Sequence, residues 1–169
     1  MTPTRGIGYW GLLITIIAFS AGCTNPLPHD GLATVTHVVD GDTIDVSFGG
    51  HVERVRLIGI DTPETKKPNT PIECFGPEAS AFTTDLLPTG TVVRVERDIV
   101  GRDDYGRLLG YVYRIDDDLF VNLEIVAEGY AQPLTIEPNS TYAAVFASAA
   151  SAAERNDIGM WAACAGTGR

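Results

Sequence analysis

Apolar and polar residues alternate from Ala33 to Asp40 and again from Thr43 to Phe48, and both runs are rich in β-branched side chains. Strand side chains point to opposite faces in turn, so such runs predict half-buried strands. The junction Asp40-Gly41-Asp42 supplies the backbone angles of a tight hairpin. Val52 to Ile60 follows Gly49-Gly50 and predicts a third strand in hairpin succession. The period then changes. Phe75, Ala79, Phe82 and Leu86 recur at helical spacing, with Pro77 and Glu78 suited to a first turn, so Phe75 to Leu87 reads as a helix. Thr91 to Arg97 and Leu108 to Ile115 predict two more strands, joined by a loop from Gly101 to Gly106. Asn122 caps a short helix through Glu128 that Gly129 ends, and the alanine-rich run Tyr142 to Glu154 predicts a third helix. The expected fold class is α+β: a five-stranded antiparallel OB-fold-like barrel with about three helices.

The pattern before Ala33 is different. Arg5 precedes a mostly apolar run from Ile7 to Phe19, followed by Ser20-Ala21-Gly22-Cys23 and a polar, proline-containing stretch. A spanning helix needs about 20 apolar residues, and this run is shorter, so it reads as an export signal. Small residues before a cysteine resemble a bacterial lipobox. Residues 1–22 are then a leader of lipoprotein type, Cys23 carries the lipid, residues 23–32 are a tether and residues 165–169 a loose tail. Such a chain is exported and held at the cell membrane, facing the exterior or the periplasm. Ordinary cleavage nearby with secretion, or an uncleaved anchor, are the alternatives. Removing 22 of 169 residues leaves enough chain for one domain, residues 33–164, expected as a monomer. Cys74 and Cys164 remain, and in an oxidising compartment either a disulfide joins them or they are two unpaired thiols.

The chemistry-bearing residues lie in the middle of the chain. Arg56, Asp61, Thr62 and Glu64 fall at the end of the third strand, and a second arginine returns in Asp104-Tyr105-Gly106-Arg107. Hydrolysis of a phosphodiester adds negative charge at an already anionic phosphorus. A site for it needs a hard cation, fixed donors and a base that activates water. Arginine can grip two phosphate oxygens at once and stays charged. Asp42 and Asp61 with the Thr62 carbonyl suit calcium, which accepts carboxylate and carbonyl oxygens in irregular geometry. Glu64 is left as the base. Arg56 and Asp61 are five apart and would point oppositely on an ideal strand, so a bend is required between them, with Gly59 the candidate. Lys66 and Lys67 stand in the loop that follows, placed to touch substrate.

Four stretches together resemble the thermonuclease family, the staphylococcal nuclease-like proteins. They are Val39-Asp40-Gly41-Asp42-Thr43, Arg56 to Thr65, Phe75-Gly76-Pro77-Glu78-Ala79-Ser80-Ala81-Phe82 and Asp104-Tyr105-Gly106-Arg107, in the family's order. The resemblance implies the same barrel and a calcium-dependent endonuclease acting on DNA and RNA, leaving 3′-phosphate ends. It assigns calcium to Asp42, Asp61 and the Thr62 carbonyl, the action on water to Glu64 and the phosphate to Arg56 and Arg107, with Tyr105 beside the phosphate. A noncatalytic OB-fold lipoprotein that binds nucleic acid or protein is the alternative. It would be marked by loss of one or more of these charged residues, and all of them are present.

Two features depart from that family. The formal charge is −10, and loss of Arg5 with the leader makes it −11, the wrong sign for holding a polyanion. Leu134, Thr135 and Ile136 stand where relatives often present tyrosines that stack on a base. Both changes point to weaker substrate binding with the chemistry intact.

Overall fold

The computed structural model describes residues 1, 31–65 and 71–165. Cys23, Lys66 and Lys67 lie outside the described residues. The strands are β1 (Gly31–Asp40), β2 (Thr43–Phe48), β3 (His51–Leu57), β4 (Gly59–Asp61), β5 (Val92–Glu96), β6 (Leu108–Arg114), β7 (Leu119–Phe120) and β8 (Gln132–Leu134). The helices are α1 (Gly76–Leu86), α2 (Val121–Ala127), α3 (Ala143–Arg155) and α4 (Met160–Ala163). β1 begins at Gly31, so the last two residues assigned to the tether belong to the sheet.

Alternation builds the core as expected. Ile44, Val46 and Phe48 of β2, Val55 and Leu57 of β3 and Val93 and Val95 of β5 all point inward and are buried. The order β3-β2-β1-β5-β6 closes into a barrel because β3 also pairs with β6. That closing pair is parallel, with Val55 opposite Leu108 and Arg56 opposite Leu109. The expected α+β, five-stranded barrel is present, and one of its pairs runs parallel for a counting reason: a ring of five strands cannot alternate direction throughout, so one pair must run the same way. The fourth helix, α4, and the short strands β4, β7 and β8 add to the expected elements.

The long third strand is in fact two. β3 stops at Leu57, and β4 pairs with β8 in a separate small sheet. Gly59 makes the break, with φ of 81°, a left-handed conformation that suits glycine. A β-carbon there would lie 2.3 Å from the Phe146 ring of α3, so the glycine also admits a close packing contact. Asn122 does not cap α2. Phe120 holds the N-cap position, and Asn122 sits inside the helix and is buried. Its Oδ1 accepts from Val112 N–H at 2.9 Å, while Nδ2 donates to the carbonyls of Ile58 at 3.0 Å and Gly110 at 3.4 Å. The side chain thus satisfies the backbone groups that the bend takes out of the sheet ladder.

Two further links fix the outer segments. Cys74 and Cys164 form a disulfide with Cα atoms 6.0 Å apart, tying the start of α1 to the chain after α4. Asp98, after β5, accepts from Thr141 N–H at 3.1 Å, the Thr141 hydroxyl at 3.0 Å, the Tyr111 hydroxyl at 2.8 Å and Ile99 N–H at 3.0 Å. Asn139 pairs with both backbone groups of Val100 at 2.8 Å. The loop between β5 and β6 is therefore clamped to the segment that follows β8.

Gly59→Ala is expected to lower stability by roughly 2–4 kcal/mol, from overpacking against Phe146 and the left-handed backbone. A urea midpoint equal to wild type would contradict this. At Asp98, burial opposes the charged form, but the bonds from Thr141, Tyr111 and Ile99 outweigh it and hold the carboxyl below its ordinary value of 3.8. A depressed carboxyl stabilises the fold above that ordinary value and loses its contribution as pH falls through the depressed one. Asp98→Asn should therefore lower the melting temperature at pH 7, with the gap to wild type shrinking below pH 3.8. A gap independent of pH would contradict the assignment.

Candidate active site

Strand register gathers the charged residues at one end of the barrel. Thr43 of β2 lies opposite Arg56 of β3, and Arg56 lies opposite Leu109 of β6. The β1–β2 turn, the end of β3 and the start of β6 are thus neighbours. Asp42 in that turn is buried, and its carbonyl accepts Leu57 N–H at 2.8 Å. The turn is pinned from behind by α1, whose buried Thr83 hydroxyl donates to the Gly41 carbonyl at 2.6 Å. Gly41 has to be small, because a β-carbon would come within 2.7 Å of the Thr62 side chain.

The Asp42 carboxylate joins the separate pieces. Oδ2 accepts from Thr62 N–H at 3.0 Å and the Thr62 hydroxyl at 3.1 Å, and Oδ1 accepts from the Thr43 hydroxyl at 3.0 Å. Arg56 Nη2 lies 3.0 Å from Asp42 Oδ2 and 2.9 Å from Asp61 Oδ1. The other terminal nitrogen, Nη1, donates to the carbonyls of Leu57 at 2.6 Å and Ile60 at 2.9 Å. One guanidinium therefore spans the bend and holds both aspartates. Backbone pairing of Asp61 with Gln132 of β8 fixes the far side.

Asp40, Asp42, Arg56, Asp61, Thr62, Glu64 and Arg107 line one polar cavity of about 220 Å³. The six catalytic and metal positions expected from sequence are thus all on its wall. Asp40 is an addition: in the sequence it reads only as part of a hairpin turn, and the acid on each side of Gly41 was the available signal. Burial raises the Asp40 carboxyl above its ordinary value, and the Asp42 charge adds to this. Burial also raises Asp61; Arg56 opposes the shift, while Glu73, Glu64 and Asp40 reinforce it. Carboxylates crowd this cavity beyond what Arg56 neutralises, and every acidic donor is a hard oxygen. That chemistry fits a calcium ion. Among the described residues no three His, Cys, Asp or Glu side chains already converge as a metal cage, so backbone oxygen and water would have to complete the shell.

Glu64 lies just past the bend. Its Oε1 accepts Thr65 N–H at 2.9 Å, and its carbonyl accepts Glu73 N–H at 3.0 Å, closing the base of the intervening loop. Arg107 is set by Asp103, which accepts from its N–H at 2.9 Å and from Nε at 2.7 Å. Its Nη1 and Nη2 have no hydrogen-bond partner among the described residues. Arg107 thus pairs locally with Asp103 and also lines the acidic cavity. Tyr105 lies outside the acidic cavity. It is 86% exposed, with its ring centroid 5.5 Å from the Arg107 guanidinium, and lines an adjoining cavity of about 450 Å³. That second cavity shares Arg56 and Arg107 with the first and is walled by Leu134, Ile136 and Glu137.

Residues 54–163 match the family model described as staphylococcal nuclease homologue. The chain belongs to the staphylococcal nuclease family. Among family members, the thermonuclease of Staphylococcus intermedius is 43% identical over 127 residues, covering 75% of this chain and 74% of its own length. The thermonuclease of Staphylococcus hyicus is 39% identical over 142 residues, covering 84% and 81%. Endonuclease YncB of Bacillus subtilis (strain 168) is 37% identical over 130 residues, covering 76% of this chain and 60% of its own. The barrel with its appended helices is the staphylococcal nuclease fold, and the acidic cavity with two arginines lies at one end of it.

Proposed function

We propose that this protein is a calcium-dependent nuclease that hydrolyses phosphodiester bonds of DNA and RNA and leaves 3′-phosphate ends. The observation that carries the reading is the sharing of one small cavity by two arginines, three aspartates and a glutamate. The relatives named thermonuclease and endonuclease support it.

Calcium, held by the Asp42 and Asp61 carboxylates and the Thr62 carbonyl, would supply positive charge beside the scissile phosphate. The residues do the rest. Arg56, fixed through Nη1 by the Leu57 and Ile60 carbonyls and through Nη2 by Asp42 and Asp61, presents Nε to one phosphate oxygen, and Arg107, oriented through Nε by Asp103, presents its two terminal nitrogens to another. Glu64 takes a proton from the water that adds to phosphorus. The bond from phosphorus to the 5′ oxygen breaks, and that oxygen takes a proton from solvent water as it leaves. Tyr105 would lie beside the phosphate, and Lys66 and Lys67 would touch the substrate.

The proposal extends to the whole chain: a nuclease domain over residues 33–164, acting as a monomer, exported by the leader 1–22 and tethered at the membrane through lipidated Cys23. Secretion after ordinary cleavage is the alternative.

Wild type, Arg56→Ala and Glu64→Gln are incubated with single-stranded DNA and with RNA, in calcium and then in a chelator. Cleavage is expected only in calcium. Turnover should fall by about 10²–10³ in Arg56→Ala and about 10²–10⁴ in Glu64→Gln. Equal activity of Glu64→Gln and wild type would remove Glu64 as the base, and no cleavage by folded wild type would remove the nuclease reading. Calorimetry should show calcium binding kept in Glu64→Gln and weakened in Asp42→Ala; unchanged affinity in the latter would exclude Asp42 as a ligand.

A further inference from the structure

We infer that Glu73, anchored by the Cys74–Cys164 disulfide, positions Glu64 for its action on the attacking water. The inference rests on the nuclease reading and adds to it a positioning residue that does not line the acidic cavity.

The Glu64 backbone is held from outside that cavity. Glu64 N–H donates to Glu73 Oε2 at 3.0 Å, and Glu73 N–H donates to the Glu64 carbonyl at 3.0 Å. One residue thus takes both backbone groups of the other, which fixes the peptide planes on either side of the Glu64 Cα. The second of those planes carries Thr65 N–H, and that group donates to Glu64 Oε1 at 2.9 Å. Setting the plane therefore sets the carboxylate.

Burial does not hold Glu73 in place, because Pro71, Ile72, Glu73 and Cys74 are all exposed. The anchor lies on the side toward α1. Cys74 is bonded to Cys164, which is buried at the end of α4. That helix is seated on the core: Met160 is buried, and its N–H donates to the Gly129 carbonyl at 2.9 Å. A β-carbon on Gly159 would lie 2.4 Å from the same carbonyl oxygen, so the two segments are in close contact.

Phe75 points to the same constraint. Its φ of 71° is a left-handed conformation unfavourable for a bulky side chain, and such a conformation persists where its surroundings over-determine it. Here the disulfide fixes one side, and the Phe75 ring stacks on Tyr130 with centroids 5.1 Å apart. The resulting turn brings Gly76 N–H to the Glu73 carbonyl at 3.1 Å and seats Gly76 against the base. A β-carbon on Gly76 would lie 2.7 Å from the Thr65 side chain and 3.0 Å from the Glu64 carbonyl oxygen. The path from core to base runs through α4, the disulfide, Glu73 and the Glu64 backbone. Cutting it moves the base and leaves Asp42, Asp61 and Thr62 in place, since Arg56 and the β1–β2 turn hold those.

The test uses the full chain with single-stranded DNA in saturating calcium, below the melting temperature of every variant. A misplacement of about 1 Å can cost about 10²-fold in rate. Glu73→Ala and the double variant Cys74→Ser/Cys164→Ser are expected to lower kcat by about tenfold or more, with KM and calcium affinity within about twofold of wild type. Glu73→Gln keeps an oxygen that accepts Glu64 N–H, and should recover most of what Glu73→Ala loses. Each loss should vanish in a Glu64→Gln background, because a residue that acts through the base then has nothing to position. Losses of equal size in both backgrounds would assign Glu73 and the disulfide a general structural role and overturn the inference. Wild-type kcat in Glu73→Ala, or in the folded cysteine variant, would overturn it as well and leave the nuclease reading intact. If the cysteine variant does not fold, the Glu73 variants decide alone. Absence of cleavage by folded wild type would overturn both readings.

Discussion

A single reversal of the backbone, at Ile58 and Gly59, makes the site possible. Had β3 continued straight, Arg56 and Asp61 would face opposite sides of the sheet. The positive φ at Gly59 turns the chain out of the barrel, and the Phe146 ring packed against it keeps the turn closed. Leaving the ladder frees backbone groups, and each finds a partner: Ile58 N–H donates to the Gly110 carbonyl at 3.1 Å, and the Ile58 carbonyl accepts from buried Asn122. Arg56 closes the same bend from the other side by bonding Leu57 and Ile60. The helices α2 and α3 therefore contribute to the chemistry without touching it, since they hold the residue that lets two strands of one sequence run diverge.

Electrostatics at the site works against stability and for function. Asp40 and Asp61 carry raised carboxyl pKa values because burial and neighbouring acids penalise their charge. A fold selected only for stability would dilute such a cluster, and perturbed groups sharing a cleft are a mark of a working site. Arg56 offsets part of the repulsion by lying within 3.0 Å of both Asp42 and Asp61. Elsewhere on the surface Arg54, Arg102 and Arg114 are each paired with an acid.

Much of this was legible in the sequence where a local pattern decides local structure. The alternating runs gave β1, β2, β5 and β6, the helical spacing gave α1 and α3, and the five-residue offset between Arg56 and Asp61 required a bend at Gly59. Other features depend on partners far along the chain. Gln132-Pro133-Leu134 is too short to read as a strand, and becomes one only because β4 needs an edge to pair with. Asn122 reads as a cap because polar residues favour that position, yet its amide is spent on backbone groups of β6 and the bend. Asp103 and Asp104 were both open to Arg107 as local partners, and it is Asp103 that accepts from its Nε. The parallel closing pair was implicit in the strand count alone.

The most direct test of the central claim, that the bend brings Arg56, Asp61 and Arg107 around one phosphate, is a crystal structure of Glu64→Gln with calcium and a short oligothymidylate. The account predicts a phosphate between Arg56 and Arg107 and calcium against Asp42 and Asp61. A strand bound elsewhere on the barrel, with the acidic cavity holding neither phosphate nor calcium, would contradict it.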